Sequence, residues 1–123
     1  MAIKVGSIGY NFDHDKNFYM DKPLGSGAYL LLFVKTDAKF TINRKAFYVK
    51  ENSYILFNPT TPCSYKPAKD LYINDWFFFN MDEADKDYLL NLGIIFDEPV
   101  ELKSIENLTK VIHNIVFEHY STE

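Results

Sequence analysis

Short apolar segments separated by turn-forming residues occupy the chain between residues 28 and 80. They recur at intervals of about 8–12 residues, which is typical of an antiparallel sandwich or barrel. Aromatic residues make up 17% of the 123 residues, and their side chains favour strands. We therefore predict a mainly β fold whose strands are Ala28–Val34, Phe40–Asn43, Ala46–Lys50, Tyr54–Phe57 and Leu71–Phe79.

The sequence on either side of these segments has a different pattern. Glycine and proline punctuate residues 1–27, which predicts an N-terminal arm with at most short strands. Apolar residues at helical spacing predict a helix over 82–92, ended by Gly93, and a second over 104–120, capped by Ser104. The predicted organisation within one domain is arm 1–27, barrel core 28–80 and helical appendage 81–123.

The second predicted helix carries an apolar stripe at near-heptad spacing. This spacing suits an antiparallel pair of helices and predicts a homodimer. The alternative is that the helix packs on its own barrel. The residues of the stripe are Ile105, Leu108, Ile112 and Ile115.

Charge and hydropathy exclude several classes of protein. Lys and Arg total 13 against 17 Asp and Glu, a formal net charge of −4 without a basic block, so the chain lacks the signature of a nucleic-acid-binding surface. The longest strongly apolar run, 28–34, is too short to cross a bilayer. No export signal is recognisable, and the single Cys63 cannot form an internal disulfide. We expect a cytoplasmic protein without membrane contact.

Residues that could carry catalysis are scarce. The sequence contains no nucleophile elbow, phosphate loop or dinucleotide fingerprint. His113 and His119 do not share a helix face and His14 is distant, so solvated histidines are expected rather than a metal site. Cys63 is interpreted as a small apolar side chain at the barrel rim. We predict no catalytic residue, no metal ligand and no cofactor.

The most aromatic strand offers the best candidate for a binding surface. Alternation places Asn74, Trp76 and Phe78 on one face, with Asp75, Phe77 and Phe79 on the other. An indole beside an amide suits a polar ring-shaped ligand such as a sugar. The alternative, favoured by composition alone, is that Trp76 is a core residue and Asn74 pairs with backbone.

The order of several motifs resembles the effector-binding domain of AraC-type transcription regulators. The likeness spans about residues 21–118 and depends on the order and spacing of degenerate motifs. These motifs are Asp21–Gly25, Tyr29–Val34, Phe40–Asn43, Glu51–Tyr65, Trp76–Phe79, and Gly93–Ile94 followed by Pro99–Leu102 and the long helix.

The resemblance implies a fold, a partner and a further domain. It implies a cupin barrel, which is a double-stranded β-helix of the jelly-roll type, holding a small effector and followed by two helices that form a dimer. It also implies a separate DNA-binding domain, which these 123 residues do not include. DNA contact is therefore expected only through that domain.

The resemblance also assigns residues to the effector pocket. In a sugar-responsive member, an Arg, a Tyr and a His at the positions of Lys22, Tyr65 and Asn74 contact the sugar. A Trp at the position of Trp76 stacks on it. Lys22 has the positive charge of the Arg but not its planar guanidinium group. Asn74 can form hydrogen bonds as the His does, but it does not titrate. Phe78 lies on the face of Asn74 and Trp76. The two-His metal motif of enzymatic cupins is missing from 35–42.

Three functional hypotheses follow. The first is a small-molecule-sensing and dimerisation domain of an AraC-type regulator, whose arm closes over the effector through Ile8 or Tyr10. The second is a stand-alone cupin enzyme that acts on a small sugar or acid. The third is a domain with a ring-filled barrel that only dimerises.

Overall fold

The computed structural model describes residues 4–102, with the side chains at positions 4, 5, 7, 8 and 10–13 left out. These residues form two antiparallel sheets and one helix. The strands are β1 (Lys4–Asp15), β2 (Met20–Lys22), β3 (Tyr29–Val34), β4 (Ala38–Ile42), β5 (Lys45–Val49), β6 (Ser53–Phe57), β7 (Cys63–Pro67), β8 (Leu71–Asn80) and β9 (Val100–Glu101), and the helix is α1 (Glu83–Asn91).

The two sheets share one pattern of pairing. The five-stranded sheet has the order β1-β8-β3-β6-β9, and the four-stranded sheet has the order β2-β7-β4-β5. The chain therefore pairs β1 with β8, β2 with β7, β3 with β6 and β4 with β5. This nesting brings the start of the chain beside residues 63–80. The prediction of a mainly β fold is confirmed, and the five predicted strands match β3 to β6 and β8.

The predicted N-terminal arm with at most short strands is wrong. β1 is 12 residues long and pairs along β8 from Lys4↔Asn80 to Asp15↔Leu71, with irregularities between Val5 and Ile8 and between Gly9 and Phe12. Its glycines do not end the strand. Glycine instead lets another side chain approach the backbone closely.

Three further strands were not predicted, β2, β7 and β9. β7 follows Pro62 and ends at Pro67, and proline is typical of turns. Cys63, Tyr65 and Pro67 of β7 are buried while Ser64 and Lys66 are not. That alternation was the available signal.

The main core lies between the two sheets. Every side chain of β3 is buried, because Leu30, Leu32 and Val34 face the other sheet and Leu31 and Phe33 face outward into a second cluster. The inner core is completed mainly by β4 to β8. Its fully buried large side chains include Phe40, Ile42, Val49, Ile55, Phe57 and Tyr72.

The second cluster covers the outer face of the five-stranded sheet. Phe79 of β8 stacks there on Tyr29 with 5.6 Å between the ring centroids, and Phe77 packs against Phe79 at 5.5 Å. The partly buried side chains packed on them are Tyr54, Met81, Ile94, Phe96 and Leu102. Both faces of β8 are therefore occupied, which explains why both faces carry rings.

The helix α1 agrees closely with the range predicted from the sequence. Asp82 is its N-cap and accepts a hydrogen bond from the Asp85 amide at 2.8 Å, and Gly93 follows the helix with φ +86°. The apolar residues whose spacing predicted this helix do not form its buried side, because Tyr88 and Leu92 among them are exposed and Asp85 is buried. Within residues 4–102, no helix is long and apolar enough to span a membrane.

The second predicted helix, 104–120, lies outside the described residues. The same is true of its proposed dimer stripe, Ile105, Leu108, Ile112 and Ile115.

Candidate functional site

A cavity of about 230 Å³ lies between the two sheets. All five side chains predicted to bind a ligand line it, although they come from three strands, β2, β7 and β8. The sequence did not single out the other five lining residues. The described residues that line it are His14, Phe18, Met20, Lys22, Leu30, Leu32, Tyr65, Asn74, Trp76 and Phe78.

Trp76 forms part of the cavity wall, and its position depends on Gly9. The two residues are cross-strand partners on β1 and β8. The six-membered ring of the indole lies against the Gly9 backbone, where a Cβ atom would collide with it. The absence of a side chain at Gly9 therefore makes room for the indole.

Lys22 brings a positive charge to the cavity from the end of β2. Its Nζ lies 4.8 Å from the centroid of the Phe78 ring, a distance that allows a cation–π interaction. The side chain is half-buried, and this burial lowers its pKa. Among the described residues, Lys22 forms no salt bridge.

The backbone around Lys22 is fixed by a tight loop. The Gly25 amide donates to the Lys22 carbonyl at 3.1 Å, and the Gly27 amide donates to the Pro59 carbonyl at 2.9 Å. Gly25 has φ +81° and packs directly on Pro59 and Thr60. The end of β2 is thereby tied to the β6–β7 turn.

Asn74 and Tyr72 bring buried polar atoms to the same face of β8. Asn74 is 3% exposed and Tyr72 is fully buried. Asn74 Oδ1 has no hydrogen-bond partner in the described part of the chain. Burial raises the pKa of Tyr72 well above its ordinary value, and the Asn74 side chain beside its hydroxyl lowers that pKa by hydrogen bonding, with a smaller effect. A buried polar atom without a partner calls for an explanation.

Tyr65 lies on the opposite sheet within a group of stacked rings. Its ring centroid is 4.7 Å from that of Phe40 and 5.8 Å from that of Tyr72. Burial raises the pKa of Tyr65 strongly, so its hydroxyl is protonated. Tyr65 can thus supply a ring surface and a neutral hydroxyl, but no charge.

His14 is not the solvated residue expected from the sequence. It is half-buried at the cavity, and its ring stacks on Phe18 with centroids 3.7 Å apart and on Tyr72 at 5.8 Å. His14 is the cross-strand partner of Tyr72 in the β1–β8 register. Only the pairing of these distant strands brings it to the site.

Cys63 fits the interpretation as a small apolar side chain, but it lies in the core rather than at the rim. It is 5% exposed and pairs with Lys22 across β2 and β7. Burial raises its pKa to about 11, so it is a thiol at neutral pH. Within the described part of the chain, no three His, Cys, Asp or Glu residues lie close enough to share a metal ion.

A second, larger cavity of about 460 Å³ opens on the four-stranded sheet. Its lining includes Tyr19 and Tyr48, both more than half exposed, and the exposed Lys39 and Lys66. None of the buried polar atoms without partners belongs to this lining. The inner cavity, which combines an indole, a half-buried amine and the Asn74 oxygen, is the better candidate for a ligand site.

Comparisons with known proteins leave the family open. No protein-family model matches the chain, and no curated protein matches it. Among solved structures, it is similar to the plu4264 protein from Photorhabdus luminescens, with 15% identity and a TM-score of 0.41. That similarity covers 71% of this chain and 68% of the other. A likeness this distant carries no argument about function.

Proposed function

We propose that this chain is a ligand-sensing domain that binds one small molecule in the cavity between its two sheets. The observation that carries the proposal is the meeting of Lys22, Tyr65, Asn74, Trp76 and Phe78 around one cavity. A mostly apolar wall with a few convergent polar groups is typical of small-molecule sites.

The size of the cavity limits the ligand. A cavity of roughly 150 Å³ is large enough to hold benzene, and drug-sized ligands occupy about 300–1,000 Å³. The volume here, about 230 Å³, lies between these values. It suits one ring with small substituents, a description that includes the monosaccharide implied by the family resemblance.

We also infer that the two sheets form a cupin-like jelly roll. The support is the strand order β1-β8-β3-β6 facing β2-β7-β4-β5, with β9 added at one edge. Eight strands nested in this way are those of a hairpin wound into two sheets. Such a winding leaves the space for a ligand between the sheets.

The wider proposal is that the domain belongs to a cytoplasmic transcription regulator of the AraC type. Its support is the order of the motifs over residues 21–118. The regulator would form a homodimer through the helix predicted over 104–120 and contact DNA through a separate domain. The stand-alone cupin enzyme is the alternative, and stoichiometric metal in the purified protein would favour it.

The single tryptophan provides a direct test of binding. Because Trp76 lines the cavity, a bound ring should change its fluorescence, and calorimetry should give the same Kd. We expect a panel of single-ring compounds, including L-arabinose, to contain a ligand that Trp76→Ala no longer binds.

The matched control is Tyr48→Ala, which removes an exposed ring from the second cavity. This variant should bind the ligand with an unchanged Kd. The proposal is wrong if Trp76→Ala binds as tightly as the parent protein, or if the ligand depends on Tyr48 instead.

A further inference from the structure

The charge of the cavity points to the chemistry of its ligand. Among the described lining residues, Lys22 and His14 are the side chains that can carry positive charge, and none is Asp or Glu. Lys22 is half-buried and forms no salt bridge with a described residue. A partly desolvated ammonium group is stabilised when an anion binds beside it.

The amide of Asn74 sets a second requirement. Its Oδ1 is buried without a hydrogen-bond partner among the described residues, and the side chain lines the cavity. This oxygen can only accept. A ligand that fills the cavity and donates a hydrogen bond there would remove the cost of the unpaired oxygen.

The order of the groups along β8 gives the ligand a direction. Asn74, Trp76 and Phe78 follow one another on the inner face, and the Lys22 amine lies over the Phe78 ring. Successive residues on one face are about 6.6 Å apart. The donor site and the cationic site therefore lie at opposite ends of a row, with the indole between them.

The remaining walls determine the type of ring. Leu30, Leu32 and Phe18 offer no polar side-chain atoms to a ligand, and Met20 offers only a weakly accepting sulfur. A neutral sugar would place several hydroxyl groups against them without partners. A planar carbon ring loses little hydrogen bonding with water when it enters such a space.

We propose that the ligand is a planar, single-ring carboxylate with a hydrogen-bond donor at its far end. Its carboxylate lies beside the Lys22 amine, its ring lies against Trp76, and its donor faces Asn74 Oδ1. This inference rests on the proposed function and narrows it from any small ring to a ring acid.

The test compares two probes of nearly the same shape, 4-hydroxybenzoate and 4-hydroxybenzamide, in which a charged carboxylate is replaced by a neutral amide. The acid is ionised at pH 7, and the amide is neutral. By calorimetry we expect the acid to bind about tenfold more tightly, since a hydrogen bond to a charged partner contributes that much. Benzoate, which lacks the donor, should bind more weakly than 4-hydroxybenzoate.

Variants at Lys22 and Asn74 assign each preference to its residue. Lys22→Met should abolish the preference for acid over amide, and Lys22→Arg should keep it. Asn74→Leu should abolish the advantage of 4-hydroxybenzoate over benzoate. Lys66→Met, a change on the exposed face of β7, should alter none of these ratios. Thermal melting checks that each variant is folded.

The outcomes separate this inference from the proposed function. If L-arabinose binds in a Trp76-dependent manner and the acids do not, the sensor function stands and the ring acid is wrong. Equal binding of acid and amide, or a preference that survives Lys22→Met, also overturns the inference. If none of the three aromatic probes binds, the ring acid is again wrong. If galacturonate binds more tightly than 4-hydroxybenzoate, the requirement for a negatively charged ligand stands, but the inference of a planar ring is wrong.

Discussion

Gly9 and Trp76 lie opposite each other on β1 and β8, and the missing side chain of one makes room for the indole of the other. A strand glycine covered by a cross-strand aromatic ring is a known means of fixing register. Here the ring covering the glycine is also part of the cavity wall. The same contact therefore affects both stability and the shape of the site.

We expect Gly9→Ala to move the indole, because the new Cβ would collide with its six-membered ring. The predicted cost is about 1–3 kcal/mol in the free energy of unfolding, as for other overpacked sites, together with a shifted Trp fluorescence maximum. Chemical denaturation measures the first and emission spectra the second. The control is Gly6→Ala, whose Cβ would meet the Phe78 carbonyl oxygen at 3.3 Å and fits after a small shift. An unchanged spectrum in Gly9→Ala would contradict the packing described here.

The contacts of Asp37 predict how the stability of the protein depends on pH. Its carboxylate accepts hydrogen bonds from the Glu51 amide and the Tyr48 hydroxyl, both at 2.9 Å, and lies 3.3 Å from the Lys69 amine. The hydrogen bond from the Glu51 amide, followed by that from Tyr48, lowers the pKa of Asp37 below its ordinary value of 3.8. Its contribution to stability is present above pH 3.8 and is lost as the pH falls through the lower folded-state pKa.

We therefore expect Asp37→Asn to lower the Tm at pH 7, by an amount that shrinks as the pH falls below about 4. Melting curves between pH 2 and pH 7 measure this difference. Asp70→Asn, an exposed change before β8, should leave the Tm nearly unchanged throughout. A difference that stays constant with pH would show that the charge of Asp37 does not contribute to stability.

Among the elements, the β4–β5 hairpin has a turn whose second residue, Arg44, is unfavourable for its backbone conformation. Asn43 and Arg44 have φ of +50° and +67° and join Ile42 to its partner Lys45. Two-residue turns with positive φ at both positions favour Asn followed by Gly. We expect Arg44→Gly to stabilise the protein by about 0.5–1 kcal/mol, because Gly adopts this conformation without steric strain.

Denaturation curves test this prediction, with Lys45→Gly as the control. Lys45 is the next residue and begins β5, where a glycine weakens the strand. This variant should lose stability while Arg44→Gly gains it. If Arg44→Gly is also destabilised, the side chain of Arg44 contributes more than the strain of its backbone costs.

The strands differ in how much of them could be predicted, and the reason is physical. β3 to β6 and β8 are rich in apolar and aromatic side chains, so their local sequence is sufficient. β1, β2 and β7 contain Gly, Pro and polar residues and are strands because of the partners they pair with. Since pairing between the two ends of a chain is non-local, a local pattern does not predict it.

The residues that line the cavity also differ in whether the local sequence could predict them. Alternation along β8 predicted that Asn74, Trp76 and Phe78 share a face, whereas Lys22 and Tyr65 were identified only through the family resemblance. His14 and Phe18 were missed, because His14 reaches the cavity through the pairing of β1 with β8 and Phe18 lies in the turn that follows β1. Residues brought together by distant pairing leave no signal within one segment.

At the scale of the whole molecule, both sheets form the cavity proposed as the ligand site. Lys22 and Tyr65 come from the four-stranded sheet, and Asn74 and Trp76 come from the five-stranded sheet. A ligand bound between them stabilises the folded state in proportion to the logarithm of its concentration above Kd. Binding thus links the first strands of the chain to β7 and β8.

We propose that this effect reaches a second copy through the helix predicted over 104–120. We expect Leu108→Glu combined with Ile112→Glu to give a folded monomer, because two carboxylates within the apolar stripe cannot be buried in a helix pair. Sedimentation equilibrium measures the mass, and circular dichroism the folding. The matched control, Lys110→Glu with Asn114→Glu, changes positions about 200° away on the same helix and should remain dimeric. A folded dimer in the stripe variant would mean that the helix packs on its own barrel. The dimer would then form through another surface, such as the exposed Tyr88 and Leu92 at α1.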